Sequence, residues 1–512
     1  MSLYRDSTVP AKELRKFFQG EFVVALSALS LSLGLLTFLL FFLLLILQAL
    51  PFFSFLPFTL FELKDGRKIL GAVIRQLEKE GGEKEFFLYT GNRDLYGRSY
   101  LYLSSREISR MENPGRVVRV ERLEYGEFIG FISPDQYKFW KEHREEIQRL
   151  EKQEKILSKK ALLLSKKWEE AEKDPELYER IGKEEEKISQ EMNEIIERKE
   201  SLKVVFLDGE GKGVTFPLYQ IRRIYFPNEG GFKEKVRFIW NRLFTFFLEE
   251  PREANTEGGI YPAIVGTILM VFLMTIAVLP LGVIVALYLS EYAREGLLKR
   301  WIRMGVQNMA GVPSIVYGIF GLGFFVYGVG GTIDRIFFSD RLPQPTFGTG
   351  GILWSSLTLA LLTLPVVIVA TEEGIRSVPP SLREGAYALG ATKWELISRV
   401  ILPSSLPGIL TGMILAISRA AGEVAPLMIT GVVKLAPELP IDGTFPFLHL
   451  ERKFMHVGFH IYDLALQSPD VEATKPMAYL TILVLLFLVI LLNGVGIYMR
   501  NRIRNRLRFS TF

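Results

Sequence analysis

The sequence predicts a mainly α-helical polytopic membrane protein with six transmembrane helices, interrupted after the first by an inserted α+β domain. Three observations carry this. Six apolar stretches are long enough to cross a bilayer core of about 30 Å, which takes roughly 20 helical residues. Charged residues, 23% of the 512, gather in blocks between those stretches. Residues 60–235 break the pattern with short β-prone runs around a long, charged helical segment.

The spans are expected near 22–47, 262–288, 305–328, 351–371, 406–432 and 476–498. The first has too long an apolar run for a cleaved signal peptide and no convincing small-residue cleavage site, so it is expected to stay as an anchor. Orientation follows from the cations beside short connections. Arg5, Lys12, Arg15 and Lys16 precede the first span, and Arg294, Lys299, Arg300 and Arg303 join the second to the third. Arg376, Arg383, Lys393 and Arg399 join the fourth to the fifth, and Arg500, Arg502, Arg504, Arg506 and Arg508 follow the sixth. All fall on one side, which makes both termini cytoplasmic and residues 60–235 extracytoplasmic. The insertion is also rich in Lys and Arg, but connections longer than about 60 residues translocate largely regardless of charge.

With 49% apolar residues and positive mean hydropathy, the chain is part membrane and part soluble. The net charge of +5 does not imply nucleic acid, because the cations flank apolar segments, where anchoring explains them. No cysteine is present, so a disulfide framework, a thiolate metal site and a cysteine nucleophile are excluded.

Four domains are expected: residues 1–59 (N-terminus and first span), the insertion 60–235, an interfacial helix and linker 236–261, and a membrane core 262–512. Within the insertion, runs such as Glu85–Tyr89 and Tyr100–Leu103, with turns at Asp65-Gly66, Gly91-Asn92, Pro114-Gly115 and Asp208-Gly209, predict a small antiparallel β unit over 60–133 and 203–228. Between its halves, residues 134–202 carry apolar residues at seven-residue spacing: Trp140, Ile147, Ala161 and Trp168 in one series, Leu150, Leu157, Leu164 and Ala171 in another. Asp174-Pro175 interrupts them, and Ile181, Ile188, Ile195 and Leu202 follow with Met192 between, predicting an antiparallel coiled-coil hairpin. It is either a contact arm for a partner or a solvated insertion that stabilises the domain. The segment Phe238–Leu248, with Trp240, Leu243, Phe244 and Phe247, reads as an interfacial helix or as a helix packed wholly on the β unit.

The fifth span carries Arg419 and Glu423, one helical turn apart and on one face. Ionisable groups in a span are costly and usually face a partner or a wet cavity. Arginine offers a permanent charge and a planar donor fork matched to tetrahedral oxyanions. Glu423 then holds the guanidinium in place or pairs across a subunit interface; the alternative is an ion pair that only neutralises itself. Between the fourth and fifth spans stand Glu384-Gly385-Ala386, Gly390, and Val400-Ile401-Leu402-Pro403. Gly385, Ala386 and Ala388 permit close approach, Gly390 breaks a helix, and Pro403 is expected to stop the next helix from extending backwards. His449, His456 and His460 form no convincing metal set, and an interfacial helix explains the last two. Gly318, Gly321 and Gly323 suggest close helix packing. No Gly-x-x-x-x-Gly-Lys-Ser/Thr loop is present, so ATP hydrolysis by this chain alone is not expected.

The 384–403 pattern resembles the EAA loop of ABC importers. Together with Asn255–Ile260, Val312–Gly318, Thr371-Glu372, Ser381–Trp394 and Arg419–Leu427, it resembles phosphate ABC-transporter permeases of the PstA type, loosely in the first span and closely over 246–506. The resemblance implies a type I ABC importer permease fold and the import of inorganic phosphate, without a cofactor or metal, in a bacterial or archaeal-type cytoplasmic membrane. It implies as partners a second phosphate permease, a cytoplasmic ATPase dimer, an extracytoplasmic phosphate-binding protein and membrane lipid. Arg419 and Glu423 match the family's charged pair in this span, and Arg383, Glu384, Gly385, Ala386, Ala388, Gly390 and Lys393, within the coupling loop 379–403, match its ATPase-facing segment. Gly385 and Val400 stand where the motif usually has alanine and isoleucine, and Val369 and Ala370 stand where some relatives carry an arginine. The insertion is not explained by the resemblance. A permease for sulfate or molybdate, and a membrane receptor whose insertion senses a ligand, are the alternatives.

Overall fold

The computed structural model describes residues 22–79, 83–165 and 175–509. Among these, six helical segments are long and apolar enough to span a membrane: Phe22–Phe53, Tyr261–Tyr292, Ser314–Phe337, Ile352–Arg376, Lys393–Gly422 and Val471–Arg506. Arg5, Lys12, Arg15, Lys16, Trp168, Ala171 and Asp174 lie outside the described residues.

Two spans differ from their expected limits for local reasons. The third was expected from 305, but Leu297–Met309 is a separate amphipathic helix and the span begins at Ser314. Pro313 disfavours helical backbone at the residue before it, so the chain turns there. The fifth was expected over 406–432, yet its helix already starts at Lys393 and ends at Gly422. Its start is set by a capping box in which the Thr392 hydroxyl accepts from the Glu395 N–H while Glu395 accepts from the Thr392 N–H. A π-helical stretch, Leu396–Ile401, then carries the helix past Pro403, which therefore does not stop it.

The second, fourth and fifth spans make the core of the membrane part, through Met270, Met274 and Val278, Leu359 and Val367, and Ala416, Ala420 and Ala421. The fourth span is its most enclosed element. The first span is exposed along nearly its whole length and buries only Leu45 and Ala49 near its end, so its apolar face meets lipid.

The insertion holds two five-stranded antiparallel sheets. The first has the order β4-β3-β2-β1-β5, with β1 Thr59–Leu63, β2 Lys68–Lys79, β3 Glu83–Tyr89, β4 Tyr100–Ser104 and β5 Ile108–Glu112. The second has the order β10-β6-β7-β8-β9, with β6 Val117–Arg122, β7 Phe128–Phe131, β8 Lys203–Leu207, β9 Gly213–Pro217 and β10 Ile221–Tyr225. The sheets share a core in which Phe58, Leu70 and Ala72 meet Val117 and Ile129. Between β7 and β8 run two helices, Pro134–Ser165 and Pro175–Ser201. Leu157 and Leu164 face Ile181, Ile188 and Ile195 along their seam, whereas Trp140 and Ile147 belong to the sheet core at its base. At 1.5 Å per residue the 32-residue first arm is about 48 Å long.

Helix Phe232–Leu248 divides its faces. Phe238 packs on Phe55 and Tyr225, and Phe246 on Phe52, while Phe232, Trp240, Phe244 and Leu248 are exposed. One apolar face is thus buried, Phe238 against the insertion and Phe246 among Ile260, Leu464 and Met477 of the linker and membrane part, and the other is free to lie at a membrane surface.

Candidate functional site

Arg419 occupies the last turn of the fifth-span helix, where the helix dipole favours a cation, and Glu423 is its C-terminal cap with extended backbone. The helix breaks there and resumes as the short Ala425–Thr430. Pro426 stands in its first turn, where a missing N–H costs nothing. Arg419 Nε is 3.7 Å from Glu423 Oε1, a loose pair, and the Arg419 side chain keeps 32% of its exposure. Its guanidinium is therefore reachable and is not consumed by its neighbour.

The third span comes to this break at Gly318. A Cβ on Gly318 would lie 2.8 Å from Pro426 Cα, so only glycine allows the approach. One residue before, the Tyr317 hydroxyl donates to the Met309 carbonyl at 2.7 Å, which ties the start of this span to the preceding helix. Gly321 meets Thr358 just as closely, but Gly323 faces open space and packs against nothing. On the other side, Ser418 donates to Asn493 of the sixth span at 2.8 Å. The Val312–Gly318 and Arg419–Leu427 motifs, far apart in sequence, are thereby one site.

A second cluster lies at the opposite end of the fifth span. Helix Pro380–Ala388 ends in Gly390 at φ +80°, a conformation side chains rarely adopt. Arg383 and Lys393 turn inward and meet at Glu291, at the end of the second span. Arg383 Nη1 donates to the Glu291 carboxylate at 2.7 Å and its Nη2 to the Ile375 carbonyl at 2.9 Å. Lys393 Nζ donates to the Glu291 carbonyl at 2.6 Å and sits 4.2 Å from the centre of the Tyr292 ring. Glu384, Gly385 and Ala388 face outward, and a Cβ on Gly385 would meet nothing. Around them Leu389, Trp394 and Tyr387 are exposed, as are Leu297, Leu298 and Trp301 of the neighbouring amphipathic helix. So much apolar surface beside an open small-residue helix marks a contact surface. Glu291 escaped the sequence reading, because a lone glutamate at the end of a span carries no periodic signal. Nearby, Glu372 of the fourth span is buried and takes Arg303 at 3.3 Å and Arg376 at 3.7 Å.

His456 and His460 are fully buried, not interfacial. His456 caps helix Val457–Tyr462, its Nδ1 accepting from the Gly458 N–H, and burial lowers the His456 pKa to about 3 and the His460 pKa to about 4. Both imidazoles are therefore neutral.

Comparison with known proteins gives the family. Residues 278–508 match the model of the binding-protein-dependent transport system inner membrane component. A Yersinia pestis protein named phosphate transport system permease protein PstA is 36% identical over 251 residues, 49% of this chain and 75% of that one. The chain belongs to the PstA family of transport permeases. A Methanocaldococcus jannaschii protein named probable phosphate transport system permease protein PstA is 35% identical, over 46% of this permease and 73% of its own length. A Mycobacterium leprae phosphate transport system permease protein PstA is 37% identical over 39% of this chain and 59% of its own. A chain of the inward-facing MetNI methionine ABC transporter aligns at 17% identity with a TM-score of 0.33, covering 48% of this chain and 94% of that one, too slight a likeness to argue from.

Proposed function

We propose that this permease is the membrane subunit of an ATP-driven importer of inorganic phosphate. It works with a second permease, a cytoplasmic ATPase dimer and an extracytoplasmic phosphate-binding protein, its termini on the cytoplasmic side and its insertion on the other. The single observation that supports a substrate role best is the Arg419 guanidinium, set at the end of an apolar helix, one-third exposed and only loosely held by Glu423. An accessible arginine that is only partly exposed to water is a strong ligand for a tetrahedral oxyanion.

In this reading phosphate passes from the binding protein into a cavity between the two permeases, where Arg419 captures it. Glu423, 3.7 Å away, competes for the guanidinium and eases release. The surface of Glu384, Gly385, Ala388, Leu389 and Trp394 receives the ATPase, while Arg383 and Lys393 fasten that surface to the second span through Glu291. ATP binding moves the loop, and access alternates between the two faces.

The test is uptake of labelled phosphate in membranes that contain the other subunits, with sulfate and molybdate as competitors. Arg419→Ala should lower uptake by about tenfold or more, the equivalent of one charge-assisted contact. The assembled ATPase content should be unchanged. Normal uptake with unchanged affinity removes Arg419 from the pathway, and preferential inhibition by sulfate or molybdate reassigns the oxyanion.

A further inference from the structure

A cavity of about 830 Å³ lies at the seam between the insertion and the membrane part. Its membrane-side wall carries the apolar Leu47, Leu50 and Phe52 at the end of the first span and Ala473, Pro476 and Met477 at the start of the last, beside Gln48 and the paired Glu472 and Lys475. Leu47 and Leu50 are more than half exposed, so this wall opens toward hydrocarbon. The opposite wall is polar and comes from the sheets, with Tyr89, Arg119 and Glu127 at its centre.

The charges that line the cavity are unevenly satisfied. Glu127 takes Arg119 through both oxygens at 2.8 and 2.9 Å and accepts from the Tyr89 hydroxyl at 2.8 Å. Asp94 is held by both terminal nitrogens of Arg122, at 2.8 and 2.9 Å. Glu472 pairs with Lys475, Asp470 accepts from the Ala473 N–H, and Glu253 accepts from the Tyr125 N–H. Three other cations are less well served. Arg75 and Arg93 line the cavity and form no ion pair with any described residue. Among the described residues Arg242 pairs only with Glu127, already shared with Arg119, at 3.4 Å; its guanidinium lies over the Phe52 and Phe238 rings, and its Nε is buried without a hydrogen-bond partner. Glu257 also lines the cavity and forms no ion pair with any described residue, but burial and the neighbouring Glu127 push its pKa up to about 7 and so suppress its charge. With Arg119 already engaged, Arg75, Arg93 and Arg242 are the groups left to take an anion.

We propose that this cavity holds the phosphodiester headgroup of an anionic membrane phospholipid. Arg75, Arg93 and Arg242 face the phosphate, and the acyl chains leave past Leu47, Leu50 and Met477 into the bilayer. Free phosphate offers the same anion chemistry but nothing to cover the apolar wall, whereas a lipid supplies both halves. The volume suits a glycerophosphate with its first methylenes, within the few hundred to about 1,000 Å³ usual for ligand pockets. A bound lipid would mortar the insertion to the first and last spans, a role independent of the substrate that the transporter carries.

The test uses the full chain reconstituted in phosphatidylcholine nanodiscs containing phosphatidylglycerol, transferred to detergent, with retained lipid counted by native mass spectrometry. The wild type should keep phosphatidylglycerol in preference to phosphatidylcholine, and millimolar inorganic phosphate should not displace it. The Arg75→Ala/Arg93→Ala double variant alters side chains at or near the surface and should fold normally, with retention reduced about tenfold, as loss of charge-assisted contacts predicts. Ala473→Trp, which fills the apolar side, should do the same by a different route. Equal retention in wild type and both variants, or no preference over phosphatidylcholine, overturns the proposal. Displacement by inorganic phosphate overturns it too, in favour of the free anion.

Discussion

Replacing Glu291 with glutamine removes the charge that holds the loop at Arg383 to the second span. The Glu291 side chain is 10% exposed and lies 2.7 Å from Arg383, whose own exposure is 27%. A charge-assisted hydrogen bond contributes about 1.5–3 kcal/mol, and partial exposure of Arg383 favours the lower half, near 2 kcal/mol. Glutamine can still accept one neutral bond, and the Glu291 carbonyl that Lys393 uses is main chain, so the loss should not exceed that figure. Since 1.4 kcal/mol is tenfold, the ratio of docked to undocked loop should fall roughly 30-fold. Hydrogen exchange of the membrane-embedded protein reads this directly: amides over 380–395 should exchange faster by about that factor, with the spans unchanged. Uptake in the assembled transporter should fall while its ATPases stay bound. The paired exchange Glu291→Arg with Arg383→Glu should restore part of both. Exchange and uptake within about twofold of wild type, where no ~1.4 kcal/mol step separates them, would refute the clamp.

Three further outcomes are expected. Gly318→Val drives a side chain into the Pro426 backbone at 2.8 Å and should cost about 1–3 kcal/mol, seen as a lower unfolding temperature in detergent, whereas Gly323→Ala, with nothing within 4 Å, should be silent. Burial, and then the neighbouring Glu127, push the Glu257 pKa up to about 7. A carboxyl raised on folding adds stability that is complete below its ordinary value near 4.5 and lost as pH rises through about 7, so thermal stability should decline from pH 5 to 8 by the equivalent of roughly 3 kcal/mol at most. Glu257→Gln should flatten that decline, and an unchanged slope would assign the pH dependence elsewhere. Ile188→Ala opens a hole in the hairpin seam and should cost about 2 kcal/mol, with faster hydrogen exchange along both arms and none in the spans; uniform exchange across the chain would contradict a separately held hairpin.

What the sequence made legible was whatever repeats. Twenty-residue apolar stretches forecast the spans, because a lipid-facing helix must hide its backbone polar groups within itself and show only hydrocarbon outward. The seven-residue spacing of Leu150, Leu157 and Leu164, and of Ile181, Ile188 and Ile195, forecast the seam of the hairpin, since each series can be buried only by the other. Limits set by a single residue were harder to read. Apolarity continues across Pro313 and Gly422, so composition alone runs the third span too early and the fifth too late. Pairings between distant segments left no local trace. Arg419 and Glu423 were visible as charges in an apolar run, but Gly318 against Pro426, Arg383 on Glu291 and the arginine-lined seam depend on contacts separated by more than 90 residues.

The insertion is not loosely tethered, and this bears on what it does. Arg222, Arg223 and Arg252 converge on the two carboxylates of Glu121 and Glu249, with contacts at 2.9, 3.1 and 3.3 Å, joining β6 and β10 to the end of helix Phe232–Leu248 and to the linker beyond it. Charges in such a network hold one another through several partners, so the geometry survives loss of any single contact better than an isolated pair would. The linker is fixed in turn: Asn255 donates to the buried Asp463 at 2.8 Å, and Lys434 lies 2.9 Å from the same carboxylate. Asp463 follows helix Val457–Tyr462, whose Gly458 lies so close to Val424 that a Cβ there would be 2.7 Å away, and Val424 is the residue after Glu423. A continuous chain of contacts thus runs from the sheets through the linker to the break beside Arg419. A sensor swinging on a flexible hinge would need slack at the linker, and this construction removes it. An arm that delivers a docked partner to a fixed place needs the rigidity that these carboxylates provide, and it would bring that partner to the same end of the fifth span as Arg419.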